Sequence, residues 1–127
     1  MNRPCAATII AIAFLAGEAS AQPLSGDELK AAIAGRHIYL AIPFGGEFPL
    51  HYRPNGRVDG ISPKSLLARL DPTTDSGKWW VEGKNLCQQW QVWYRQARYC
   101  FTIELTGPKS LNWTRNDGLS GTARIGQ

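Results

Sequence analysis

Hydrophobic and polar positions along this chain follow two periods in turn. Between Leu24 and Gly35 the apolar residues Leu29, Ala32 and Ile33 recur at helical spacing. Ahead of them, Ser25-Gly26-Asp27-Glu28 has the form of a capping box, and Leu24 and Leu29 are placed as a hydrophobic staple. The pattern predicts one short amphipathic helix that stops at Gly35. From Arg36 the period becomes two. Ile38, Leu40 and Ile42 alternate with His37, Tyr39 and Ala41 in a strand that ends at Pro43 and the Gly45-Gly46 break. Phe48, Leu50 and Tyr52 alternate with Glu47, Pro49, His51 and Arg53 in a second strand, and Pro49 puts it at an edge or in an irregular position. Pro54-Asn55-Gly56 then turns the chain into a short return strand over 57–62.

Farther on, Leu66, Leu67 and Leu70 have the spacing of a helical turn over 63–70, and 71–77 reads as a polar, solvated loop containing Asp71 and Asp75. Strands are expected over 78–82, 86–92, 98–105, 111–115 and 119–125. They are punctuated by Gly83-Lys84-Asn85, a tip at 93–97, Thr106-Gly107-Pro108 and Asn116-Asp117-Gly118. Asp-Gly between two alternating runs is a strong hairpin signal. The count is about seven or eight short strands without a repeat or linker. The fold class is mainly β: a small antiparallel meander barrel or sandwich with one amino-terminal helix.

Residues 1–21 differ from all of this. Arg3 gives a positive start, 6–16 is apolar, and Ala19-Ser20-Ala21 is a small-x-small cleavage site, as in a secretory signal peptide. The apolar run falls short of the roughly 20 residues that a membrane-spanning helix needs. The expected product is one secreted β-rich domain over 22–127, periplasmic or extracellular, with no membrane span. Losing Arg3 and Glu18 together leaves the net charge at +4, an ordinary solubility charge. Nucleic acid is a poor partner in that compartment, and the basic residues are not gathered into one patch.

Export also leaves two cysteines, Cys87 and Cys100, in an oxidising environment. Their spacing is neither C-x-x-C nor a zinc pattern, so a structural disulfide is expected. It would close a loop of about 14 residues and stabilise by about 3 kcal/mol on the chain-entropy model. Alternation places both cysteines on the more polar faces of neighbouring strands, where they would form a staple outside the main core. Four of the five tryptophans, Trp79, Trp80, Trp90 and Trp93, lie in the same stretch, which we take as the centre of the fold.

Gly77, Trp79, Gly83, Leu86, Cys87, Trp90 and Cys100, together with the LSGDELKAAIAGR opening and the LSGTARI ending, resemble a group of small exported proteobacterial domains of unknown function. The resemblance implies a β-rich fold and a periplasmic or secreted location, and it supplies no catalytic residues.

Candidate chemistry is sparse. His37 and His51 fall in strands outside any ligand-spaced motif, and an incomplete two-histidine metal site is the weaker reading. Glu47 with His51 could orient and act as a base, but no G-x-S-x-G elbow or other nucleophile context accompanies them. The segment 93–98 is the best candidate. Trp93 and Tyr94 could stack on a ring, and Arg95 and Arg98 could meet an anion. Alternatively, the aromatics fold back over the sheet and the arginines reach into water. The leading functional expectation is a non-catalytic periplasmic binding module without a cofactor, recognising an envelope glycan, an anionic ligand or a protein partner. A small hydrolase using His51, or an enzyme inhibitor acting through the aromatic tip, are the alternatives.

Overall fold

The computed structural model describes residues 22–64 and 70–126. The expected signal peptide at 1–21 lies outside the described residues, as do Leu66 and Leu67 of the expected helical turn. Helix α1 spans Gly26–Ile33. The strands are β1 Arg36–Ala41, β2 Glu47–Tyr52, β3 Arg57–Ile61, β4 Thr74–Glu82, β5 Asn85–Trp90, β6 Arg98–Gly107, β7 Ser110–Arg115 and β8 Ser120–Ile125. A 3-10 turn, Trp93–Gln96, joins β5 to β6. Each strand pairs antiparallel with the next, and β8 returns to pair with β1. The chain is therefore a closed eight-stranded meander barrel, and of the two architectures expected it is the barrel that forms.

Alternation explains the interior. Ile38, Phe48, Leu50, Tyr52, Val58, Trp79, Leu86, Trp90, Ile103, Leu111 and Ala123 are buried, as a half-buried strand with period two requires. Closure removes sheet edges, yet Pro49 still sits at a local one. The β2–β3 ladder covers only Leu50 to Tyr52, so Pro49 lies beyond it. Two glycines are fixed by close approach. A Cβ on Gly77 would lie 2.2 Å from the Gln89 carbonyl oxygen, and one on Gly60 would lie 2.6 Å from the Trp93 ring.

Helix α1 covers one end of the barrel through buried Leu29 and Ile33. Three backbone bonds hold this segment there: the Leu24 amide donates to the Ile103 carbonyl at 2.8 Å, Gly26 to Gly83 at 2.7 Å, and Gly35 to Tyr52 at 2.7 Å. Ser25 does occupy the N-cap, but its side chain makes no capping bond, contrary to the capping box expected. The start of α1 is instead tied to the β4–β5 turn, where Gly26 donates to Gly83.

The other end is closed by Trp93. It is 2% exposed, packs edge-on against Phe48 at 5.6 Å and tilted against Trp90 at 4.6 Å, and its Nε1 donates to the Pro72 carbonyl at 2.6 Å. The supposed polar loop at 71–77 is half strand, since β4 begins at Thr74. Asp75 is buried rather than solvated.

Cys87 and Cys100 face each other in register on β5 and β6 and are joined as a disulfide. Among the described residues, no helix is long and apolar enough to cross a membrane. Inside the barrel, a cavity of about 30 Å³ is lined by residues including Ile38, Leu50, Gln88 and Trp113, and Tyr52 donates to Gln88 Oε1 at 2.6 Å within the buried interior. That is an order of magnitude below the roughly 300–1,000 Å³ of sites that take organic ligands.

Candidate functional site

The barrel end opposite α1 carries the β1–β2, β3–β4, β5–β6 and β7–β8 connections, because the strands alternate in direction. Among the described residues, six large hydrophobics are exposed, and five of them belong to this end: Phe44, Ile61, Val92, Tyr94 and Leu119. Phe44 is the most exposed, at 79%. The sixth, Leu105, lies near the far end of β6.

Backbone strain is concentrated at the same end. Tyr94, Arg95 and Gln96 have φ of 58°, 54° and 61°, three consecutive non-glycine residues in the left-handed region. Each such residue costs about 1–2 kcal/mol, so the conformation persists only where its surroundings fix it. The contacts that fix it are explicit. Asp75 Oδ2 accepts from the amides of Val92 and Trp93, both at 2.8 Å. Gln96 Nε2 donates to the Gln91 carbonyl at 2.7 Å, and Gln89 Nε2 donates to the Gln96 carbonyl at 2.9 Å.

A chain of contacts ties this turn to the β7–β8 turn. Tyr94 meets Tyr99 edge-on at 5.6 Å, the Arg115 guanidinium lies 4.4 Å from the Tyr99 ring, and Arg115 is bidentate to Asp117. Asp117 in turn accepts from the Leu119 amide. Burial pushes the Tyr94 hydroxyl pKa up, against the pull of Arg115, while the hydrogen bond from Arg115 holds the Asp117 carboxyl below its ordinary range.

The residues singled out in the sequence thus separate into three places. Tyr94 and Arg95 are exposed on the strained turn. Trp93 lies inside the barrel, because its amide and its ring are both committed to Asp75, Pro72 and the core, so it presents no surface to a ligand. Arg98 lies on the outer wall, where it pairs with Glu82 at 2.6 Å and covers the Trp80 ring at 5.3 Å. Sequence reasoning missed Phe44, Ile61, Val92 and Leu119. A usable signal existed for Phe44 and Leu119, which are large apolar residues inside or beside turns, off the alternating pattern.

The enzyme alternative fares differently. Glu47 and His51 are four residues apart on one extended strand, roughly 13 Å at the usual rise. Glu47 is bidentate to Arg124, which holds its carboxyl below the ordinary range. His51 stacks on His37 with ring centroids 4.0 Å apart. Burial first, then His37 and Arg53, hold its pKa below 6.5. Glu47 and His51 are thus engaged with different partners.

Among the described residues, Asp59 is the most perturbed carboxylate. Burial raises its pKa, but hydrogen bonds from Ser76, Arg53 and Arg57 outweigh that and hold it far below 3.8. A carboxylate depressed in the folded state stabilises above its unfolded pKa, and this contribution is lost as pH falls through the folded value. Urea midpoints should therefore fall below about pH 4. The Asp59→Asn variant should show a shallower acid limb, and an unchanged slope would contradict the assignment.

Comparison with models of known protein families, with curated proteins and with solved structures finds no match. The resemblance noted above therefore rests on its own motif residues.

Proposed function

We propose that this chain is an exported, non-catalytic binding module of the bacterial periplasm, and that it docks a protein partner with the barrel end opposite α1. The observation that carries this reading is the gathering of five of the six exposed large hydrophobics at that end. Apolar side chains exposed together are costly in water and mark interaction sites. A turn whose left-handed backbone is held by four hydrogen bonds presents Tyr94 and Arg95 already ordered, which lowers the entropy cost of association. A tyrosine and an arginine beside aliphatic and phenyl groups suit an apolar cleft with an acidic rim on another protein. The disulfide fits an oxidising compartment, and the leader-like 1–21 segment supports export.

Phe44→Asp and Leu119→Asp test the reading, because both residues are more than half exposed. Each variant should unfold within about 0.5 kcal/mol of the parent. Each should lose most of the partner that the parent retains from periplasmic extract. Full retention by both variants would refute the surface.

A further inference from the structure

A large concavity of the described residues lies elsewhere, on the outer wall where β1 meets β8. It is a groove of about 870 Å³, bounded on one side by the β6–β7 hairpin and on the other by side chains of β1, β2 and β8. Along this hairpin the β6–β7 register shifts between Leu105 and Gly107. Leu105 is 37% exposed along the groove. Pro108 and Ile125 supply an apolar floor beside it, over the buried Leu111 and Ala123.

The charge of the groove is one-sided. Its lining includes Arg36, Lys109 and Arg124, and its single carboxylate is Glu47. Arg124 is bidentate to Glu47 and stacked 4.1 Å from the Tyr39 ring, so these two charges cancel and hold one wall rigid. Arg36 and Lys109 are exposed and make none of the ion pairs found among the described residues. The lining therefore carries two uncompensated positive charges beside an apolar floor and the exposed Leu105.

From this arrangement we infer that the groove binds a single-chain anionic amphiphile, an alkyl or acyl chain ending in a carboxylate. The chain lies on the floor along Leu105, and the carboxylate meets Arg36 and Lys109. The volume lies within the range of small-molecule sites. Charge complementarity selects the anion, and the apolar floor selects a hydrocarbon body over a bare acid. This site is independent of the docking end, since none of the groove residues belongs to the Phe44 or Tyr94 loops.

The test is calorimetric titration of the mature oxidised protein with sodium laurate below its micelle concentration. Dodecyltrimethylammonium and an aspartate hexapeptide serve as comparison ligands. Laurate should bind saturably, with an affinity that falls at high salt. The Arg36→Glu/Lys109→Glu double variant should bind laurate at least about tenfold more weakly, with its unfolding midpoint unchanged. Leu105→Glu should weaken laurate in the same way, and Phe44→Asp should not, which separates this site from the docking end. Equal binding of the cationic amphiphile, hexapeptide binding as tight as laurate, or full affinity in the double variant would each overturn the inference.

Discussion

Replacing Trp93 with alanine should remove about 4 kcal/mol of stability, a cost typical of deleting a fully packed tryptophan. Domains of this size are stable by only about 5–15 kcal/mol, so much of the total is at stake. The ring closes one barrel end against Phe48 and Trp90, and Gly60 exists as a glycine to make room for it. Urea unfolding would show the loss directly. Trp93→Phe keeps part of the volume but gives up the Nε1 bond to Pro72, and should cost less, about 1–2 kcal/mol. Tyr94→Ala, at an exposed position next door, should cost under about 1 kcal/mol. A neutral Trp93→Ala combined with a destabilising Tyr94→Ala would reverse the assignment of these neighbours to core and surface.

Asp75→Ala should be nearly as damaging. Among the described residues, its carboxylate is the acceptor found for the Val92 and Trp93 amides, and alanine would strand both donors in a part-buried to buried setting. Each such orphan costs about 1–3 kcal/mol, so a loss of about 2–4 kcal/mol is expected. The consequence reaches the candidate surface. The left-handed Tyr94–Gln96 turn leans on this anchor, and hydrogen exchange at residues 92–96 should accelerate well beyond that of β1 or β7. Asp75→Asn retains an acceptor oxygen and should fall between parent and alanine. Protection at 92–96 equal to the parent in Asp75→Ala would mean that the glutamine bonds alone hold the turn.

Most of the barrel could be read from the alternation of the chain, and the reasons for the failures are local. Ile38, Phe48, Leu50 and Tyr52 are inward because period two leaves no other arrangement, and Cys87 meets Cys100 because the β5–β6 register pairs them directly, although Cys87 is fully buried where a staple outside the main core was expected. Asp75 was misread because composition cannot tell a solvated aspartate from one that accepts two amides seventeen and eighteen residues away. Trp93 and Tyr94 are adjacent aromatics with opposite fates, decided by a backbone that turns left-handed between them. Periodicity carries no information about such a turn. Arg98 looked like a neighbour of Arg95, but it begins a strand, and its outward direction delivers it to Trp80 and Glu82 instead. The groove is less legible still, since Arg36, Lys109 and Arg124 converge only through barrel closure.

The docking end is tested most directly by site-specific photocrosslinking in the periplasm. A benzophenone amino acid would be placed at position 44, at position 119 and, as the opposite-end comparison, at Lys84 in the exposed β4–β5 turn. The expected result is one discrete adduct from positions 44 and 119 that is absent from position 84 and disappears with Asp75→Ala at permissive temperature. Adducts of equal yield from all three positions, or from position 84 alone, would contradict the assignment of this barrel end as the binding surface.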